Sequence, residues 1–162
     1  MKKMIKVGMA EYKIVKVPEI LTTLGLGSCI GICLYDKQAK IAGLAHIMLP
    51  SSIQIKNNTN KAKFADTAIE LLLNDIIGLG ALKRKITAKI AGGAQMFAFS
   101  NNSNDLMKIG LRNAEATKLI LKSHGIPILS EDTGGNYGRT IEFDPSNGEL
   151  MIKTIGHGIK VI

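Results

Sequence analysis

The stretch Ile20-Leu-Thr-Thr-Leu-Gly-Leu-Gly-Ser-Cys29, followed by Ile30-Gly-Ile-Cys-Leu-Tyr35 and Ile41-Ala-Gly-Leu-Ala-His-Ile-Met-Leu49-Pro50, decides the fold. Its apolar residues come in short runs rich in Ile, Leu and Thr, over residues 20–26, 30–35 and 41–49, each bounded by glycine, charge or proline. Runs of that length with those boundaries predict strands. The polar residues 36–40 separate the last two runs and can close a hairpin, although the Asn-Gly dipeptide that marks the tightest hairpins is missing.

Working outward, residues 12–17 alternate as a strand does, and residues 63–78 and 109–124 carry apolar positions at helical spacing. The first helix is expected to turn Phe64, Ala68, Leu71, Leu72, Asp75 and Ile76 to one side, and the second to turn Leu111, Ala114, Leu119, Ile120 and Leu121 toward a core. Gly125 with Pro127 stops the second helix. Strands are expected over 85–91, 126–129, 140–143 and 150–155, with Asp144-Pro-Ser-Asn-Gly148 turning the chain between the last two. Residues 51–60 and 100–105, rich in Asn and Ser, read as surface loops. Strands at both ends with two helices between them predict one α+β or layered α/β domain spanning residues 1–162.

Composition narrows the function. At 46% hydrophobic and 21% charged residues the chain resembles an ordinary globular domain, which excludes intrinsic disorder. No apolar run approaches the about 18 residues of a membrane span, and the lysine-rich start meets Glu11 before any long apolar stretch, so neither membrane insertion nor a secretory signal is expected. Two cysteines do not make a disulfide scaffold, and a cytoplasmic location is expected. The net charge of +8 favours an acidic partner. The bases are scattered, and aromatics are only 4% with no Trp, which argues against nucleic acid as that partner.

Chemistry concentrates at two points. Gly25, Gly27 and Ser28 lead to Cys29, so backbone amides near Gly27 and Ser28 can face a developing oxyanion. Taken alone, Cys29 reads better as a buried cysteine beside a glycine bulge. His46 interrupts an apolar strand, where a histidine must find partners for its ring nitrogens. Reflection about a turn centred near residue 38 pairs residue 30 with residue 46, so Cys29 and His46 can meet at one end of the sheet. A neutral imidazole there can take the thiol proton and leave a nucleophilic thiolate. Thr22 or Thr23 can orient the imidazole, or serve simply as strand residues.

Other motifs carry less. Gly25 and Gly27 begin a G-x-G, but Ile30 stands at the third glycine position and no helix follows, so a dinucleotide fingerprint fails. Cys33 lies about 13 Å along a strand from Cys29, too far for a disulfide. With no C-x-x-C and His46 the only nearby imidazole, no zinc site is expected. His124 sits at a helix end, and His157 in a glycine-flanked tail is expected to be solvated. Residues 91–97 turn the chain or approach a ligand. The glycine-rich 131–139 lacks the Lys-Ser/Thr of a phosphate loop and reads as a turn between strands.

Six segments, Thr-Leu-Gly-Leu-Gly-Ser-Cys (23–29), Ala-His-Ile-Met-Leu-Pro (45–50), Lys-Phe-Ala-Asp-Thr-Ala (63–68), Ala-Lys-Ile-Ala-Gly-Gly-Ala (88–94), Ile-Gly-Leu-Arg-Asn-Ala-Glu-Ala (109–116) and Glu-Asp-Thr-Gly-Gly-Asn (131–136), together resemble the CheD family of chemoreceptor glutamine deamidases, in family order and across most of the chain. The resemblance implies an α/β layered sandwich of mixed or antiparallel sheet with two main helices. It implies hydrolysis of glutamine side chains on the cytoplasmic helices of chemoreceptors, with Cys29 as nucleophile, His46 as base and Thr23 completing a triad. It further implies a CheC-type phosphatase as regulator and no metal or organic cofactor. A non-catalytic module that binds receptor or the phosphatase is the alternative.

Overall fold

One central strand is apolar on both faces, and the architecture follows from covering each of them. In the computed structural model, which describes residues 2–53, 55–96 and 108–162, this strand is β4 (Ile30–Asp36), buried along its whole length. It lies between β5 (Ile41–Ile47) and β6 (Ile86–Gly92) in a five-stranded sheet ordered β2-β5-β4-β6-β7, where β2 is Tyr12–Lys16 and β7 is Ile128–Thr133. A second five-stranded sheet is ordered β1-β3-β8-β9-β10, from Met4–Lys6, Ile20–Leu26, Arg139–Asp144, Glu149–Thr154 and Gly158–Val161. Pairing is antiparallel except for β1 with β3 and β6 with β7, so both sheets are mixed.

Period-two alternation sorts the side chains of β4 between two cores. Ile30, Ile32 and Leu34 join Ile69, Leu72 and Ile76 of helix α1 (Ala65–Gly78) and Ala114 and Leu121 of helix α2 (Ile109–Ser123). Cys33 and Tyr35 share the other core with Leu21, Leu26, Ile141 and Phe143 of the second sheet, and Cys29, just before β4, joins them. The order is helices, sheet, sheet, and the layered α/β sandwich of the sequence analysis is the observed one.

Most elements fall where the pattern puts them, with informative differences. The strand expected over 126–129 is instead Ile128–Thr133, and Lys61–Lys63 forms a separate 3-10 turn ahead of α1. The pattern does not indicate strands β1 and β10: one is three residues long with only Met4 and Ile5 apolar between lysines, the other is exposed throughout. Leu111 and Leu119 are 46% and 68% exposed, contrary to expectation. The packed face of α2 is Gly110, Asn113, Ala114, Thr117 and Leu121. Small residues win there because the helix presses hard on its neighbours: a Cβ on Gly110 would stand 2.2 Å from the Ala94 carbonyl oxygen. The hairpin closes one residue later than the reflection assumed, pairing Gly31 with His46. Residues 51–53 and 55–60 form no helix or strand, whereas the loop expected at 100–105 lies outside the described residues.

Candidate active site

Register places the two reactive side chains on one face of the sheet, two positions apart. Cys29 and Gly31 point to the same side of the chain, and His46 is paired across from Gly31, so thiol and imidazole lie diagonally on the face that meets the second sheet. Both are buried, Cys29 at 7% exposure and His46 at 1%.

The histidine is oriented from the second sheet. Thr23 on β3 is fully buried, and its Oγ1 lies 2.7 Å from His46 Nδ1 and 2.7 Å from the Val7 carbonyl oxygen. A hydroxyl has one proton. The Val7 carbonyl can only accept, so Thr23 donates to it and accepts from His46 Nδ1–H. That assignment leaves Nε2 as the bare lone pair, and Nε2 is buried with no hydrogen-bond partner among the described residues. Burial pushes the His46 pKa below its ordinary value, so the ring rests neutral. Thr22, the other candidate, donates instead to the Ile141 carbonyl at 2.9 Å and does not touch the ring.

Around the cysteine the backbone is tied down. Ala94 N–H donates to the Gly27 carbonyl (2.9 Å) and Gly93 N–H to the Cys29 carbonyl (2.8 Å). These contacts require a bare residue at 92, where φ is +116° and a Cβ would come 2.2 Å from the Cys29 carbonyl oxygen. Burial raises the Cys29 pKa, and the residue's own amide N–H partly opposes the rise. At rest the pair is therefore thiol and neutral imidazole. The Gly27 N–H is spent on the Gly25 carbonyl at 3.0 Å, which removes it from the oxyanion donors expected from sequence. The N–H groups of Ser28 and Cys29 have no backbone acceptor among the described residues.

Cys33 is fully buried and its thiol is pushed up to about 12 by desolvation, an inert core residue. His124 caps α2, and His157 is exposed and stacks on Tyr137 with ring centres 4.1 Å apart. Among the described residues no group of three or more His, Cys, Asp or Glu is arranged to hold a metal ion. No described helix is long and apolar enough to cross a membrane.

Comparison with known proteins decides the family. The model of the family described as CheD chemotactic sensory transduction matches residues 48–154. A relative from Caldanaerobacter subterraneus, named probable chemoreceptor glutamine deamidase CheD, is 59% identical over 160 residues, covering 99% of this chain and 98% of its own. The chain belongs to the CheD family. A further relative, the chemoreceptor glutamine deamidase CheD of Halalkalibacterium halodurans, is 52% identical over 163 residues and covered in full. Among solved structures, a Neisseria meningitidis protein superposes with a TM-score of 0.51 at 10% identity, covering 83% of this chain and 65% of its own, and shares the fold alone.

Sequence reasoning missed two supports of this CheD site. Val7 follows β1 and reaches Thr23 because β1 pairs in parallel with β3, a long-range choice with no local signature. The 131–139 segment does more than turn the chain. Arg139, buried, donates to Asp132 (3.1 Å) and to the Gly92 carbonyl (3.2 Å), bracing the strand end behind Cys29. Burial alone would raise the Asp132 pKa, but hydrogen bonds from Lys160 and Arg139 outweigh it and hold the carboxyl below its ordinary value.

Proposed function

We propose that the chain converts selected glutamine side chains on the cytoplasmic helices of chemoreceptors to glutamate, with Cys29 as nucleophile, His46 as base and Thr23 as the residue that orients the ring. The observation that carries this reading is the buried His46 Nε2, unpartnered among the described residues while Nδ1 is held by Thr23. A solvent-shielded lone pair on the sheet face that also carries Cys29 is suited to accept that thiol's proton.

The steps balance without a cofactor. As the substrate carboxamide enters, His46 Nε2 takes the Cys29 proton and sulfur bonds to the carboxamide carbon. The resulting oxyanion is met by the N–H groups of Ser28 and Cys29. The imidazolium returns its proton to the amine nitrogen, the C–N bond breaks, ammonia leaves and a thioester remains. Water then gives a proton to His46 and attacks the thioester carbon. Collapse of this second adduct releases glutamate and a thiolate, which the imidazolium reprotonates. Because both partners rest neutral, charge separation is deferred until a substrate carbonyl is present to use it.

The net charge of +8 suits an acidic helical surface and acts chiefly on encounter rate. A cleft of about 400 Å³ opens beside Gly25, lined in part by Tyr137, Arg139, Lys153 and Ile155, and offers room for residues flanking the target glutamine. The reading places the protein, as one domain over residues 1–162, in the cytoplasm, with a CheC-type phosphatase as regulator and no role for nucleic acid or membrane insertion. Mass spectrometry of intact receptor cytoplasmic domains tests it: the parent protein is expected to add the mass change of glutamine to glutamate at discrete sites, and Cys29→Ala to abolish it. Undiminished conversion by Cys29→Ala would remove the cysteine from the mechanism. Receptor binding without conversion by the parent protein would make the chain a non-catalytic module.

A further inference from the structure

Strands β4 and β5 are bridged at their reactive end, beside Cys29, by a single side chain from a different layer. Asn113, on α2 and fully buried, donates from Nδ2 to the Ser28 carbonyl and to the Met48 carbonyl, each at 2.9 Å. The β4–β5 ladder ends at the pair Ile30 and Ile47, so the next rung would be Cys29 opposite Met48. Asn113 spans that position where the ladder stops. Of the amide's two ends only the NH₂ can donate to both carbonyl oxygens, which fixes its orientation. Its Oδ1 is buried without a hydrogen-bond partner among the described residues, so the side chain is placed for its donors at a cost to its acceptor.

The contact also sets an amide direction. In a trans peptide the carbonyl of Ser28 and the N–H of Cys29 point opposite ways. Holding the Ser28 oxygen toward α2 turns the Cys29 N–H toward the inter-sheet face, where the thiol lies and where that N–H favours the thiolate. With Ala94 and Gly93 holding the carbonyls of Gly27 and Cys29, three successive carbonyls are anchored away from the reactive side.

We infer that Asn113 is a positioning residue: its amide sets the Cys29–His46 separation and aims the Cys29 N–H at the oxyanion. The inference rests on the Cys29–His46 reading above, and its test separates the two. Iodoacetamide alkylation of Cys29 at neutral pH is followed by mass spectrometry in the parent, His46→Ala, Asn113→Ala and the double variant. Loss of His46 is expected to slow alkylation about tenfold or more in the parent background, within what a general base contributes. In the Asn113→Ala background the same loss is expected to change the rate by less than about twofold, because the ring no longer reaches the thiol. An equal factor in both backgrounds overturns the inference while leaving the pair intact. No effect of His46→Ala in the parent overturns the pair, and the inference with it.

Turnover on receptor domains gives a second readout. Asn113→Ala is expected to lower kcat about 100-fold, the scale of a 1 Å misplacement, with KM changed less than about threefold. A raised KM with unchanged kcat overturns the assignment. Should Asn113→Ala lose its folded circular dichroism spectrum, Asn113→Ser, small and still a donor to one carbonyl, is read in its place, with a kcat between parent and zero expected and parental kcat overturning.

Discussion

Replacing Thr23 by valine removes one oxygen and keeps the shape. That oxygen serves two buried groups, accepting from His46 Nδ1–H and donating to the Val7 carbonyl, both at 2.7 Å. Both groups belong to buried residues, so each orphan is expected to cost about 1–3 kcal/mol, or roughly 2–6 kcal/mol in all. For a chain of this size a loss of 1 kcal/mol lowers Tm by about 2–4 °C, so a clearly resolved drop in Tm is expected. Catalysis should suffer separately. Without an acceptor at Nδ1 nothing keeps the proton there, the ring samples the tautomer that protonates Nε2, and it is free to rotate. A general base contributes about 100- to 10,000-fold, so a kcat reduction of about 100-fold is expected for Thr23→Val. Thr23→Ser, which keeps the hydroxyl, should remain within a few-fold of the parent. The assay is ammonia release from receptor cytoplasmic domains below the variant's Tm, alongside imidazole ¹⁵N shifts that report the tautomer directly. A folded Thr23→Val protein with kcat within about threefold of the parent refutes the reasoning, as does an unchanged tautomer.

Gly92→Ala should be among the most damaging small substitutions, since the new Cβ would stand 2.2 Å from the Cys29 carbonyl at a φ of +116°; loss of activity with a lowered Tm is expected, and parental kinetics would contradict the close approach. The base must be neutral to accept a proton and burial lowers its pKa, so the acid limb of kcat/KM should fall below the usual histidine value of about 6.5. An acid limb above neutrality would show the ring to be stabilised as imidazolium instead. Stability should decline at alkaline pH: between 9.0 and about 12 the folded protein keeps the Cys33 proton that the unfolded chain loses. In a Cys29→Ala background the slope attributable to Cys33 should approach about 1.4 kcal/mol per pH unit and vanish in Cys33→Ala, as read by urea titrations.

Legibility from sequence followed the range of the interaction. Residues 20–26 form a strand with the bounds the pattern indicates, and the hairpin brings His46 opposite Gly31, one residue from the reflected position, because a short turn leaves little freedom of register. The expected face of α2 holds at Ala114 and Leu121, which are buried, and at Ile120, which packs against the core, but not at Leu111 and Leu119. Leu111 and Leu119 look like core residues by hydropathy, yet the first turns of α2 run so close to residues 93 and 94 that Gly110 and small or amide neighbours fill the contact there, and Leu121 is packed farther along. Close approach is a property of two surfaces, and one helix's periodicity records only one of them.

Taken by itself, the amino-acid order determined the strands, the turn and the proximity of a cysteine to a histidine, since each depends on residues within one hairpin. Which hydroxyl holds the ring, which nitrogen keeps the proton and which amide spans the Ser28 and Met48 carbonyls were decided only in three dimensions. Val7 and Thr23 meet through a parallel pairing, and Asn113 and Ser28 through a helix laid across a sheet, separated along the chain by 16 and 85 residues. Contacts over such distances are selected by the burial and hydrogen bonding of the whole assembly, and no local pattern carries that information.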